Sequence, residues 1–116
     1  MAIVPQDLQP DAPDFSVRTK VRGATRTVAV RGELDLGTAD VVGHRLATAL
    51  QEHPELVVVD LSEVTFMDST GVSLLVRARS RAERHDVRLV IVASPRVEAV
   101  VELCGLNGVL ALVPPF

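Results

Sequence analysis

The sequence has no tryptophan or tyrosine, and only three phenylalanines among 116 residues. A platform of aromatic rings on which single-stranded nucleic acid could stack is therefore excluded. The single cysteine, Cys104, can neither close an intramolecular disulfide nor by itself build a zinc site. No apolar run reaches the roughly 18 residues that a membrane-spanning helix needs. Residues 1–14 carry no Lys or Arg and no extended apolar stretch, so they lack the form of a secretory signal. Positive charge is not in excess either. Twelve basic residues face 15 acidic ones, for a formal net charge of −3. No protein-wide field gathers phosphates, and direct nucleic-acid binding is not expected. Together these absences predict a soluble cytoplasmic protein with no membrane contact.

What the chain does have is aliphatic: 21 Val, 14 Leu and 2 Ile, enough for one hydrophobic core and too little for two. Residues 1–14 hold Pro5, Pro10, Pro13 and three Asp without a base. Such a segment buries little, which predicts a flexible acidic tail ahead of a folded domain over 15–116. Alternation in Phe15–Lys20 and again in Arg26–Arg31, around Arg22-Gly23, predicts a β-hairpin. Thr38 is placed to cap a helix reaching about Glu52, with Val42, Leu46, Ala49 and Leu50 on one face. The β-branched run Leu56–Leu61 has the pattern of a strand covered on both faces, and a loop is expected over Val64–Ser69. A second helix is predicted over Thr70–His85, with Val72, Leu75, Val76 and Ala82 inward, followed by a buried strand over Val87–Ala93. Ser94-Pro95 has the chemistry of a helix start; Val97, Val100, Val101 and Cys104 line that third helix. A last strand is expected over Val109–Val113. Strands alternating with helices in this order predict an α/β fold. Its sheet is mixed and mostly parallel, with an N-terminal hairpin and helices packed against it. Ligands and partners then meet the loops at the carboxyl ends of the parallel strands.

One such loop ends in Asp68-Ser69-Thr70-Gly71. Ser69 falls where an N-cap belongs, beside the unpaired N–H groups and partial positive charge of a helix start. A phosphate there can be accommodated without unfolding the helix, and it adds about −1.5 to −2 charges at pH 7. Ser69 as an ordinary cap, with Asp68 as a turn former, is the plain alternative. A nucleophilic serine needs a base. The sequence has no G-x-S-x-G elbow, and nothing marks His44, His53 or His85 for that role. No ligand cluster suggests a metal, and no Gly-rich loop suggests a nucleotide. Neither a cofactor nor an enzymatic activity is expected.

Three pieces of sequence change the odds: Arg31-Gly32-Glu33-Leu34-Asp35 with Thr38-Ala39 after a hairpin; Val59-Asp60-Leu61 followed by Phe66-Met67-Asp68-Ser69-Thr70-Gly71; and Cys104-Gly105-Leu106 closing the third helix. In this order and at this separation, over residues 15–113, the chain resembles the bacterial anti-sigma factor antagonists, the single-domain members of the STAS family. The resemblance implies that Ser69 is the phosphoacceptor, with Thr70 a lesser candidate. The kinase would be the cognate anti-sigma factor, an ATP-dependent serine kinase. The unphosphorylated form binds that factor and frees the sigma factor, the phosphorylated form is released, and a metal-dependent serine phosphatase restores it. ATP and metal belong to those partners. Sporulation and stress response are the settings that the resemblance implies. The expected partner surface comprises Glu33, Asp35, Thr38, Asp68, Ser69, Thr70, Gly71, Ser73 and Arg77. A different role within the family also fits, as a scaffold or ligand-binding subunit of a signalling complex without sigma-factor control.

The chain departs from the family pattern in two places. Gly71-Val72-Ser73 stands where Gly-Leu-Gly is frequent, which narrows the choice of partner. The sequence stops at Phe116, where many relatives continue into a C-terminal helix. The uncovered face would then be met by the acidic tail, by a second copy in a homodimer, or by nothing. Arg77, Arg79, Arg81, Arg84 and Arg88 read as a solvated face, with Arg79 and Glu83 spaced for an i,i+4 pair; the functional version is a positive rim for an acidic patch on the kinase. Cys104 reads as a small core residue.

Overall fold

The computed structural model describes residues 15–115; the acidic segment 1–14 lies outside the described residues. Five strands form one sheet in the order β1-β2-β3-β4-β5. Strand β1 (Ser16–Arg22) and β2 (Thr25–Leu34) make the expected antiparallel hairpin, and β2, β3 (Leu56–Met67), β4 (Arg88–Ala93) and β5 (Leu112–Val113) run parallel. The crossovers carry α1 (Ala39–Gln51), α2 (Ser69–Arg84) and α3 (Pro95–Leu103). Val28, Val57, Val59 and Ile91 from the sheet, with Val42, Leu46, Leu50 and Leu75 from the helices, form a continuous buried core. Arg26 Nε ties the hairpin to the end of α1 through Glu52 Oε1 at 2.6 Å.

Strand β3 is twice as long as expected and takes in Val64–Met67, most of the loop anticipated over Val64–Ser69, while Ser69 already belongs to α2. Its buried residues are Val57, Val59, Leu61, Val64 and Met67, so a period of two gives way to two steps of three. The cause lies in the pairing with β2. Ala29 pairs with Asp60 but Arg31 with Glu63, and Gly32 pairs with Val64 but Glu33 with Phe66. Each shift inserts one extra residue on β3, a bulge that flips which face the following side chains occupy. At the first bulge, Asp60 Oδ1 accepts from the Ser62 N–H at 3.0 Å and from its hydroxyl at 2.7 Å. At the second, buried Gly32 has φ +102°, a left-handed conformation that only glycine adopts without strain.

Four other expectations are corrected. Strand β3 is buried on one face only: Val57 and Val59 are buried, whereas Leu56, Val58 and Asp60 are half-buried on the face opposite the helices. On α2 the inward stripe is wider than expected, because Leu74 and Ala78 are buried and Val76 only half-buried. Cys104 is the C-cap of α3 and is exposed. The helix turns only Val97 and Val101 inward, one turn apart, so the residues that end it point to solvent. The last strand is reduced to Leu112–Val113, with Leu110 alone of the preceding residues entering the core.

Candidate functional site

The carboxyl ends of β2 and β3 lie side by side, and each leads into a helix. Leu34 pairs with Met67, and the Asp68 N–H donates to the Leu34 carbonyl at 3.4 Å. This pairing brings together the loop after Glu33 and the segment Asp68–Gly71, two pieces 35 residues apart in sequence.

The first loop is built by its own polar side chains. Asp35 Oδ1 accepts from the Gly37 N–H at 3.0 Å, an Asx-type turn. The Asp35 carbonyl accepts from the Thr38 and Ala39 N–H groups at 3.1 and 2.9 Å. Thr38 Oγ1 donates to the Glu33 carbonyl at 2.8 Å and accepts from the Asp35 N–H at 3.0 Å. Thr38 occupies the N-cap position of α1 but its side chain caps no helix N–H. It is 7% exposed. Thr38 therefore holds the loop shut from within and offers a partner almost nothing, which corrects its expected place on the surface. Half-buried Asp35 has the same internal task, and Glu33 is exposed.

In the second segment the cap is Asp68, and Ser69 is the first helical residue. Asp68 Oδ1 accepts from the Thr70 N–H at 2.9 Å, and its carbonyl accepts from the Gly71 and Val72 N–H groups at 3.0 and 3.3 Å. The sequence pattern predicts Ser69 at the cap; the carboxylate one residue earlier is an equally good cap acceptor and takes the position. Ser69 is thereby left exposed, with its hydroxyl unpartnered among the described residues. Gly71, expected at the partner surface, is buried instead. A Cβ there would run into the Met67 side chain and come within 3.1 Å of Leu34 Cγ. Glycine lets the start of α2 sit directly on the end of the β2–β3 pair. Thr70 is half-buried, whereas Ser73 and Arg77 are exposed. Ser69, Ser73 and Arg77 are four apart, so they form one stripe along α2.

Two residues to which sequence reasoning gave no role flank this end of the molecule. Leu36, within the first loop, is 80% exposed, and Phe66, paired with Glu33, is 42% exposed. Phe66 faces out because the second bulge undoes the flip made by the first, which returns it to the side of Val58 and Asp60. Leu36 had one signal available: a leucine enclosed by Asp35 and Gly37 in a tight turn has no core to enter. Among the described residues no group of three or more His, Cys, Asp or Glu is arranged to hold a metal, and no helix is long and apolar enough to cross a membrane.

Fold and site together define a small α/β domain that displays a hydroxyl at the mouth of a parallel sheet. The family comparison is specific: the profile described as "STAS domain" matches residues 16–115. The chain belongs to the STAS domain family. It is 29% identical over 98 residues to the anti-sigma-B factor antagonist of Staphylococcus aureus, covering 84% of this chain and 91% of that protein. Among solved structures, an anti-sigma factor antagonist from Mycobacterium paratuberculosis superimposes with a TM-score of 0.81 at 26% identity, covering 91% of this chain and 92% of that one. The Bacillus cell fate determinant SpoIIAA in its phosphorylated form gives a TM-score of 0.67 at 22% identity, covering 88% of this chain and 91% of that one, a likeness of fold.

Proposed function

We propose that this protein is an anti-sigma factor antagonist, a binding module without turnover of its own, switched by phosphorylation of Ser69. The unmodified form occupies an anti-sigma factor that is also a serine kinase, and so frees a sigma factor. ATP-dependent phosphorylation by that partner ends the complex, and a metal-dependent serine phosphatase resets it.

The observation that carries this reading is the division of labour between Asp68 and Ser69. Asp68 satisfies the helix start, so Ser69 can be modified without removing a hydrogen bond from the fold. The surroundings explain why modification would expel a partner. Segments 33–38 and 66–71 contain Glu33, Asp35 and Asp68 and no basic residue, so no side chain within them neutralises an added phosphate. A partner that covers Leu36 and Phe66 must also dehydrate whatever residue 69 carries. Burying a hydroxyl costs about 1–3 kcal/mol if it is left unpaired, whereas an unpaired ion costs several kcal/mol. Every 1.4 kcal/mol is tenfold in affinity, so one phosphate suffices as a switch with the scaffold unchanged.

The test is direct. Incubation with the cognate anti-sigma kinase and ATP should add one phosphate by intact mass, mapped to Ser69 and absent from Ser69→Ala. The phosphorylated protein, or Ser69→Glu, should bind the kinase at least tenfold more weakly at an unchanged melting temperature. Equal affinity of the two forms would defeat the switch. A large assembly by light scattering with no labelling would favour a scaffold.

A further inference from the structure

Helices α1 and α2 pack so closely that a Cβ on Gly43 would lie 3.1 Å from Leu74 Cδ1. Beside this contact the helices leave a cleft of about 230 Å³ whose floor includes Gly43, Ala47, Leu74 and Ala78. Its rim is charged: Asp40 and His44 on α1, Arg77 and Arg81 on α2. Among the described residues neither rim arginine has a carboxylate within 4.0 Å. Arg79, on the same helix but off the cleft, pairs with Glu83 at 3.2 Å. Both arginines that line the cleft are thus unneutralised, as is Arg84 beyond it on the same helix, and Asp40 is the single acid at the rim.

We infer that this cleft is a docking groove for an acidic segment of the anti-sigma kinase that carries an apolar side chain, adjoining the surface that phosphorylation alters and sharing only Arg77 with it; the inference rests on the function proposed above. Small residues on the floor make room for the apolar side chain, and the two free guanidinium groups match the carboxylates. Position supports the same partner. Arg77 ends the exposed stripe that begins at Ser69, and at 1.5 Å per residue Arg81 lies about 18 Å along the helix from that serine. An interface of standard size, about 800 Å² on each partner, spans that distance. Binding then has two separable parts: one at Ser69 that phosphorylation abolishes, and one in the groove that it leaves alone.

The full chain is titrated against the cognate anti-sigma kinase by calorimetry, at low and high salt, as the unmodified and Ser69→Glu forms. The double variant Arg77→Glu/Arg81→Glu should weaken both forms by the same factor, at least tenfold, and flatten the salt dependence. Arg79→Glu, the same charge change on the same helix, should alter affinity less than twofold. Arg77→Gln/Arg81→Gln serves if the reversed charges disturb folding, with a loss of at least threefold expected. Unchanged affinity in the double variants, or an equal loss in Arg79→Glu, overturns the groove. A second arm does not depend on the kinase: a peptide of alternating Leu and Glu is titrated into the isotope-labelled chain. Amide shifts should centre on Gly43, Ala47 and Ala78 and vanish in Arg77→Glu/Arg81→Glu; shifts elsewhere, or none, overturn the groove. A chain that takes the peptide in the cleft yet binds no anti-sigma kinase overturns the proposed function and leaves the groove's preference for acidic chains intact.

Discussion

Helices α2 and α3 begin at the same end of the sheet, and each has a serine at its start, yet the two hydroxyls have opposite fates. Ser94 is the cap of α3. Its hydroxyl accepts from the Val97 N–H at 3.3 Å and donates to the Val64 carbonyl at 3.0 Å, and the residue is 5% exposed. Ser69 stands one position further into its helix, behind the cap Asp68, and is exposed. A shift of one residue converts a hydroxyl that holds two elements together into one that the fold does not need. A helix start can therefore be structural or addressable, and whether a second polar residue takes the cap decides which.

The largest effect expected from this difference is all-or-none. An ATP-dependent serine kinase that engages this end of the molecule should label Ser69 completely and Ser94 not at all, and Ser69→Ala should abolish labelling. Phosphate found on Ser94 in the folded protein, by peptide mapping, would break the comparison outright.

Stability should show the reverse pattern. Ser94→Ala removes a cap and leaves the buried Val64 carbonyl without its donor, at a cost of about 1–3 kcal/mol. For a domain of this size that lowers the melting temperature by roughly 5–15 °C. Ser69→Ala should stay within about 0.5 kcal/mol of the parent, as surface changes do. Gly71→Ala sharpens the contrast from inside. It crowds Met67 and Leu34 against the α2 start, and overpacking costs about 1–3 kcal/mol, partly offset by alanine's better helix propensity, worth up to about 1 kcal/mol. Thermal melts of the three variants check all of this.

The contrast also explains what the sequence could and could not disclose. The order of strands and helices was legible because Val28 and Val30, or Val97 and Val101, repeat at the periods their elements require. The long form of β3 was not, since two bulges break its alternation, and they depend on pairing with a strand distant in sequence. Ser94 is recognisable as a cap because Pro95 follows it. Ser69 was misplaced by one residue because Asp68 and Ser69 are both good caps, and the choice between them is made by tertiary contacts: Leu34 against Gly71 and the Leu34 carbonyl against the Asp68 N–H. Exposure of Leu36 and burial of Thr38 likewise follow from hydrogen bonds within a loop, to which hydrophobic periodicity is blind.

The smallest effect isolates the role given to Asp68. Asparagine caps as well as aspartate does, whereas alanine does not. Asp68→Ala should therefore cost about 1 kcal/mol and Asp68→Asn only a few tenths, both read from chemical denaturation. Beyond stability, the two variants separate capping from charge. With phosphoserine installed at position 69, the neighbouring carboxylate disfavours the dianion, because like charges oppose ionisation. Asp68→Asn removes that repulsion and keeps the cap, so the second ionisation of the phosphate should move to lower pH, followed by ³¹P resonance. In Asp68→Ala the vacated Thr70 N–H becomes available to the phosphate, which should lower that ionisation further and shift the Thr70 amide. Identical titrations in all three proteins would show that the phosphate senses neither the charge nor the cap, and the separation between a residue that holds the helix and a residue that carries the signal would then be lost.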